Sequence, residues 1–257
     1  MSFLRRSYRA VKVTVLFLAA SVELLITRPR TRAERAAWLS RFCKRVLAAM
    51  GVTYSTLGPV PMRGAVVSNH LTYLDILLHS ALRPCVFVSK IELRKTPLLG
   101  WMSMMSGTVY VARGAGGSAA KAAEGMAKGF RDGLPVVFFP EGTTGLGDEP
   151  AMSFRSGLIA QTIAAEESMV AAFVHYDLTP GDLARGKTTR NSIHWGPEGL
   201  LDNIWKFLDL RDVHATVRFA DQPIAFSPEA IHNRKIAAVE ARRAVVDLST
   251  QFANPAP

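Results

Sequence analysis

From Gly51 onward, short β-branched runs alternate with stretches of helical periodicity, and this alternation is the feature that most constrains the fold. The β-branched composition predicts strands at residues 52–57, 65–68, 85–89, 108–112, 135–139, 170–177, 192–195 and 215–219. Apolar spacing predicts helices at residues 73–82, 98–105, 117–131, 153–166, 199–208 and 228–248. We therefore expect one α/β domain with a mixed, largely parallel central sheet flanked by helices.

The positive charge of the chain is confined to its N-terminal fifth. The formal net charge is +10, and residues 1–50 carry eleven Lys or Arg side chains against two acidic ones. Residues 51–257 hold 20 basic and 19 acidic side chains and are close to neutral. A nucleic-acid enzyme would usually place its basic footprint around the functional body, so this distribution disfavours nucleic acid as a partner.

Residues 1–50 are apolar as well as basic. An uncharged run at residues 13–22 is followed by a second helical pattern at residues 32–50. Two such helices predict a hairpin that anchors the 51–257 domain by lying in an anionic lipid interface. The uncharged run is shorter than the roughly 20 residues of a comfortable membrane span, so a single span comes second. A cleaved signal peptide comes third, because a charged helix follows at once.

The two cysteines, Cys43 and Cys85, lie far apart in the sequence. Their number and spacing argue against a disulfide framework and against a zinc site. We expect both to be buried as small apolar side chains.

The first segment that could carry chemistry follows the predicted strand at residues 65–68. It places His70 in a strand-to-helix loop and Asp75 in the first turn of the next helix, which Thr72 could cap. The Asp75 carboxylate could accept a hydrogen bond from one imidazole nitrogen and leave the other nitrogen to take a proton. Taken alone, the segment fits equally well a capped helix beside an incidental histidine.

Two further polar segments also follow predicted strands. Arg113 comes directly after one strand and could bind a phosphate, although a surface arginine at a turn is the commoner case. Glu141 follows the apolar run at residues 136–139 and precedes glycine-containing backbone that a ligand could approach closely. Because ligands bind at the carboxyl ends of strands in α/β sheets, we expect these segments to converge with His70.

Together the three segments resemble the glycerolipid acyltransferase family, of the 1-acylglycerol-3-phosphate acyltransferase type. Asn69, His70 and Asp75 resemble its NHxxxxD motif, residues 107–113 its GxxxxxR block, and residues 139–143 its FPEGT block. The resemblance covers most of residues 50–220. It implies that His70 is the general base and that Asp75 orients it. The substrate-binding residues that it implies are Asn69, Thr72, Gly107, Arg113, Glu141, Gly142, Thr143 and, as a secondary anion-binding candidate, Arg155.

The chain departs from the family pattern at two places. The predicted strand at residues 170–177 lacks the proline that many members have, and Thr144 stands where many phosphatidate-forming members have arginine. With the segment at residues 192–196, the Thr143-Thr144 pair is similar to lyso-ornithine-lipid acyltransferases. The expected acceptor is 1-acylglycerol-3-phosphate, which would give phosphatidic acid, and the alternative is another lysolipid such as lyso-ornithine lipid.

The resemblance also implies the partners and the place of the reaction. The acyl donor would be acyl-CoA or acyl carrier protein, no metal or bound cofactor would be needed, and the enzyme would act at the cytoplasmic face of a bacterial inner membrane. A lipid hydrolase would need an exposed nucleophile, and no Gly-x-Ser-x-Gly elbow is present in the sequence. A non-catalytic basic membrane-binding protein would leave the three strand-end segments unexplained.

Overall fold

A computed structural model describes residues 2–95, 99–111, 118–147, 149–196 and 198–253. Arg113, an expected phosphate ligand, lies outside these residues. The strands are β1 (Val52–Leu57), β2 (Ala65–Ser68), β3 (Val86–Lys90), β4 (Val109–Val111), β5 (Val136–Phe138), β6 (Met169–Leu178) and β7 (Val213–Phe219). The helices are α1 (Ser2–Thr27), α2 (Arg32–Met50), α3 (Leu74–Leu82), α4 (Leu99–Met105), α5 (Ser118–Arg131), α6 (Ser156–Ala164), α7 (Pro180–Leu183), α8 (Thr189–Ser192), α9 (Leu200–Phe207), α10 (Pro228–His232) and α11 (Arg234–Ala253).

The seven strands form one mixed sheet in the order β1-β7-β6-β2-β5-β3-β4. Only β6 and β7 pair antiparallel, and the other neighbours pair parallel. The predicted fold class, a largely parallel sheet flanked by helices, is confirmed. Because β2, β5 and β6 are parallel neighbours, the loops that follow β2 and β5 lie at the same edge of the sheet.

Side chains alternate between two cores, one on each face of the sheet. Val66 of β2 packs with α2 and α3 on one face, whereas its neighbours Ala65 and Val67 pack with α6 and α11 on the other. This alternation follows from the two-residue period of a strand. The central strands are apolar on both sides for this reason, as expected of buried parallel strands.

Two predicted elements are wrong. The predicted strand at residues 192–195 is instead the end of α8 followed by a loop, because Thr188 and Asn191 form a capping box that starts a helical turn. The predicted helix at residues 228–248 is broken into α10 and α11 at Asn233, whose backbone is extended. The Asn233 side-chain carbonyl accepts a hydrogen bond from the backbone N–H of Lys235, which competes with helix continuation.

The N-terminal segment forms the predicted helical hairpin, but α1 extends well beyond the uncharged run. Of the helices described, α1 alone is long and apolar enough to cross a membrane by length and composition. Helix α2 starts at a capping box formed by Thr31 and Glu34 and ends at Gly51 in the left-handed conformation. The inner face of α2 belongs to the same core as α3 and the sheet, with Trp38, Phe42, Cys43, Val46 and Leu47 all buried.

Candidate active site

His70 lies in the loop between β2 and α3, at the edge of the sheet where β5 also ends. The backbone N–H of His70 donates a hydrogen bond of 2.9 Å to Oε1 of Glu141, which follows β5. The backbone N–H of Gly145 donates to the His70 carbonyl at 2.7 Å. The structure therefore brings the His70 and Glu141 segments together, as the parallel sheet predicts.

The imidazole of His70 is held in one orientation. Its Nδ1 lies 2.8 Å from Oδ2 of Asp75, and the ring stacks on Phe139 with centroids 4.1 Å apart and an interplanar angle of 13°. Since a buried carboxylate accepts hydrogen bonds, the proton belongs on Nδ1 and the lone pair on Nε2. The side chain is 15% exposed, and none of the described residues hydrogen-bonds Nε2. This arrangement suits a general base.

Asp75 is completely buried and accepts several hydrogen bonds besides the one from His70. The backbone N–H groups of Leu71 and Thr72 donate to Oδ2 at 2.7 and 2.9 Å. The hydroxyl of Tyr176 in β6 donates to Oδ1 at 2.5 Å. Burial, followed by the proximity of Asp75, raises the pKa of Tyr176 well above its ordinary value, so this hydroxyl stays protonated. Four donors thus satisfy a carboxylate that has no contact with water.

The expected helix cap by Thr72 is wrong. The residue before α3 is Tyr73, and no side chain caps the helix. The Thr72 hydroxyl is buried without a hydrogen-bond partner among the described residues. The reason is that the Asp75 carboxylate, in the first turn of α3, already accepts hydrogen bonds from the backbone N–H groups of Leu71 and Thr72. These loop amides therefore need no cap from a side chain before the helix.

Asn69 connects the His70 loop to the neighbouring strand. Its side-chain oxygen accepts from the backbone N–H of Val174 at 2.8 Å, and its Nδ2 donates to the Val174 carbonyl at 3.1 Å. Asn69 and Thr72 are both buried, so they act on the site through the loop that they hold. Direct contact of either side chain with a substrate stays a prediction.

The Glu141 carboxylate is buried and supports two backbone segments. Besides the bond from His70, its Oε2 accepts from the backbone N–H of Met152 at 3.2 Å. Burial raises the pKa of Glu141 to about 7, although the hydrogen bonds from His70 and Met152 oppose this shift. Gly142 follows with a φ of 69°, and a Cβ there would lie 2.8 Å from Nε of Arg155. The Arg155 side chain therefore packs over the Gly142 backbone, and a larger residue at 142 would strain the positive φ and displace Arg155.

The remaining expected substrate ligands are placed differently. Thr143 and Arg155 are exposed at the Glu141 loop, on the side of the sheet edge where His70 lies. Gly107 lies two residues before β4, at the opposite end of the strands, and its carbonyl accepts a hydrogen bond from Arg32. The structure does not bring Gly107 together with His70, and its role as a substrate ligand stays a prediction.

Three features of the site were missed in the sequence. Tyr176 holds Asp75, Phe139 supports the imidazole, and the backbone N–H of Trp195 donates a hydrogen bond of 3.1 Å to the Leu71 carbonyl in the His70 loop. The Thr144 hydroxyl donates to the Trp195 carbonyl at 2.6 Å. The tyrosine near the end of β6 was the one available signal, because a buried phenol needs a hydrogen-bond partner.

Within the described ranges, no group of three or more His, Cys, Asp or Glu side chains could hold a metal ion. Cys43 and Cys85 are free and buried, as expected.

Comparisons with known proteins show which family and which solved structure the chain resembles. Residues 52–175 match the family described as Acyltransferase. The chain is 34% identical to the lyso-ornithine lipid O-acyltransferase of Pseudomonas aeruginosa, over 54% of this chain and 52% of that protein. It is 30% identical to the 1-acyl-sn-glycerol-3-phosphate acyltransferase of Neisseria meningitidis serogroup B, over 78% of this chain and 77% of that protein.

A second lyso-ornithine lipid O-acyltransferase, from Rhodobacter capsulatus, is 38% identical over 46% of this chain and 42% of its own length. The chain thus spans about half the length of the lyso-ornithine relatives from these two organisms. The crystal structure of the 1-acyl-sn-glycerophosphate (LPA) acyltransferase from Thermotoga maritima matches with a TM-score of 0.69 and 20% identity. That match covers 100% of this chain and 98% of the other, and it shows a shared fold.

Proposed function

This chain belongs to the acyltransferase family, and we propose that it transfers a fatty acyl group from a thioester donor to the free hydroxyl of a lysolipid. The observation that carries this proposal is the geometry of His70. Its Nδ1 is bound to a buried carboxylate while Nε2 is left without a hydrogen bond from any described residue. The donor would be acyl-CoA or acyl carrier protein.

In the proposed reaction, the acceptor hydroxyl donates a hydrogen bond to Nε2 of His70. As its oxygen attacks the thioester carbonyl carbon, the hydroxyl proton moves to Nε2 and a tetrahedral intermediate forms. The carbon–sulfur bond then breaks, and the imidazolium returns the proton to the departing thiolate. General-base assistance of this kind accelerates a reaction by roughly 10²–10⁴.

Asp75 stabilises the imidazolium that forms during this reaction. The Tyr176 hydroxyl and two backbone N–H groups hold the carboxylate, so it does not reorganise when His70 becomes charged. The face of Phe139 lies against the imidazole and favours its cationic form through its quadrupole. These groups are fixed before the substrate arrives, which is the condition for electrostatic catalysis.

We propose that Arg155, Arg113 and Thr143 bind the acceptor head group. Arg155 is exposed beside Gly142, and no ion pair of its side chain is found within the described residues. The Glu141 carboxylate is instead committed to the backbone of His70 and Met152, so its proposed task is to hold the two loops together. Its effect on the acceptor is then one of positioning.

The preferred acceptor in this proposal is 1-acylglycerol-3-phosphate, and one observation favours lyso-ornithine lipid as the second candidate. Thr144, which stands where an arginine would add a second charge, donates its hydroxyl to the Trp195 carbonyl. This loop therefore offers fewer cations than a phosphate monoester prefers. That favours a head group with a single anionic charge.

A panel of acceptors tests the proposed reaction. The purified protein in detergent micelles would be given acyl-CoA or acylated acyl carrier protein as the donor. The acceptor would be lysophosphatidic acid, lyso-ornithine lipid or a lysophospholipid whose head group carries no net charge. We expect a diacyl product from one of the first two. The proposed function fails if no acceptor is acylated with either donor.

We also propose that the N-terminal hairpin binds the cytoplasmic face of the membrane. The eleven basic side chains of residues 1–50 and the exposed apolar side chains of α1 support this proposal. Because α2 buries a whole face in the core whereas α1 buries only Ala20 and Leu24 there, the informative truncation removes residues 1–27 only. The truncated protein should leave the membrane fraction and keep its turnover in micelles, and unchanged flotation with vesicles would contradict the proposal.

A further inference from the structure

Helix α9 exposes an apolar face close to the His70 loop. Leu201 and Trp205 lie one turn apart on its outer side and are 79% and 38% exposed. Asn203 and Phe207 are buried on its inner side. A single exposed leucine needs no explanation, so the significance of this face depends on what surrounds it.

The exposed face of α9 continues an apolar stripe on α1. The ring of Phe3 meets the ring of Trp205 edge to face, with centroids 6.3 Å apart. From there, exposed apolar side chains follow one another along α1 at spacings of three and four residues, at Leu4, Tyr8, Val11, Val15, Leu18, Val22 and Leu25. Such spacing places them on one side of the helix. We call this combined area, from Leu25 to Leu201, the α1–α9 surface.

Helix α1 is held against the body of the protein near both of its ends. Arg9 donates hydrogen bonds to the carbonyls of Leu210 and Arg211, and Arg5 donates to the carbonyl of Asp209. Toward the other end, Ala20 and Leu24 are buried in the core that includes α2. The exposed apolar stripe of α1 therefore faces away from the protein along the length of the helix, as in a helix that lies in a membrane interface.

The charge around the α1–α9 surface is positive at its aromatic end. Arg5, Arg6, Arg9 and Lys12 occupy the first three turns of α1, and these four cations outnumber Asp209 and Asp212, the two carboxylates that pair with three of them. The guanidinium of Arg6 lies 5.8 Å from the centroid of the Trp205 ring. Exposed tryptophan, arginine and lysine beside aliphatic side chains fit the head-group level of an anionic bilayer. A second copy of the chain would bring like charges together and is disfavoured.

Hydrogen bonds connect helix α9 to the loop that holds His70. Trp195, five residues before α9, donates its backbone N–H to the carbonyl of Leu71, the residue after His70. Asn203 on the inner face of α9 donates to the carbonyl of His194 at 2.8 Å. The position of α9 relative to the His70 loop is therefore fixed by hydrogen bonds at both places.

We propose that the α1–α9 surface docks on an anionic bilayer, with Leu201 and Trp205 of α9 inserted at the head-group level. This rests on the proposed function, because it gives a lysolipid a path from the bilayer surface to His70. It goes beyond an N-terminal anchor, since it adds a contact from the catalytic domain and sets the orientation of the site relative to the membrane.

An environment-sensitive fluorescent label at Leu201→Cys tests the contact directly. Val239→Cys on α11 is the matched control, because Val239 is also aliphatic and 67% exposed but lies on the other face of the sheet. The native cysteines are buried and remain unlabelled in the folded protein. Vesicles of phosphatidylcholine with phosphatidylglycerol should shift the emission of the label at 201 to the blue and leave that at 239 unchanged. An unchanged emission at 201 in protein that floats with these vesicles overturns the proposal.

A second experiment separates membrane contact from catalysis. Leu201→Glu should weaken partitioning into the anionic vesicles by about tenfold, because a leucine side chain that would insert into the bilayer is replaced by a charge. Turnover in detergent micelles should stay at the wild-type level, and Val239→Glu should change neither quantity. Wild-type partitioning of Leu201→Glu overturns the proposal. If the wild type acylates no lysolipid in micelles, the proposed function fails, whatever the vesicle result.

Discussion

Among the residues that the structure describes, two histidine–carboxylate pairs stack on a phenylalanine, and they differ in their surroundings. In the first, His70 bonds Asp75 and stacks on Phe139 with centroids 4.1 Å apart. In the second, Nε2 of His175 lies 3.2 Å from Asp177, and the ring stacks on Phe252 with centroids 4.5 Å apart. By composition and contact the two resemble each other closely.

The difference lies in the carboxylate. Asp75 is fully buried and accepts three further hydrogen bonds, whereas the Asp177 side chain is 59% exposed and accepts only from His175 within the described part of the chain. An exposed pair is screened by water and free to rearrange, so it contributes little to stability or to orientation. A histidine–aspartate pair therefore becomes suited to catalysis when the protein holds the carboxylate from several sides.

The largest expected difference between the two pairs is the loss of turnover when the histidine is replaced by alanine. His70→Ala should lower turnover by roughly 10²–10⁴, since the general base is lost. His175→Ala should retain turnover near the wild-type value, because its side chain touches no part of the proposed site. Initial rates of diacyl product formation in micelles measure both. Near-full activity of His70→Ala would refute the assignment of the base.

The second largest difference in turnover is expected when the carboxylate of each pair is replaced by an amide. Asp75→Asn is expected to lower turnover by about a hundredfold or more, because an amide does not hold the imidazole in the required tautomer. Asp177→Asn should have little effect. Thermal unfolding of both variants serves as the control for folding. Equal activity of the two variants would mean that the burial of Asp75 does not matter for the reaction.

Tyr176→Phe sharpens the comparison, since Asp177 has no equivalent partner. Loss of the hydroxyl leaves more negative charge on Asp75, which favours the protonated imidazole of His70. Turnover should fall by about tenfold, the value of one hydrogen bond to a charged group. The acid limb of the pH–rate profile should move to higher pH. Tyr110→Phe removes a hydroxyl bonded to Ser103 and should leave the profile in place, and an unmoved profile in Tyr176→Phe would assign Tyr176 a structural role only.

Glu141→Gln should have the smallest effect on turnover, and it tests the loop that holds His70. Burial raises the pKa of Glu141 from 4.5 to about 7, so the folded protein binds the proton more tightly than the unfolded chain. Its contribution to stability is present below pH 4.5 and is lost as the pH rises through about 7. This loss, on the order of 3 kcal/mol, should be absent in the variant.

Urea unfolding at several pH values measures the Glu141 effect. The control is Glu240. Hydrogen bonds from Ser227 lower the pKa of its carboxyl group. Its contribution has the opposite sign, because it is present above the unfolded pKa and is lost as the pH falls. If the wild type and Glu141→Gln lose stability in parallel between pH 4.5 and 7, the carboxylate is not buried as described.

The sequence by itself determined the parts of this protein that depend on neighbours along the chain. The two-residue and helical periods predict the sheet and most of the helices, and five residues suffice for Asp75 to reach back from the first turn of α3 to His70. The segment at residues 192–195 was misjudged although it is local, because its capping box outweighed its apolar composition.

Only the tertiary structure decided what separates the catalytic pair from its surface counterpart. Tyr176 reaches Asp75 across 101 positions of the sequence, and Glu141 reaches His70 across 71. Such contacts arise from the order of the strands in the sheet, which places β5 and β6 on either side of β2. No local pattern encodes that order, because it results from the burial of all the strands together.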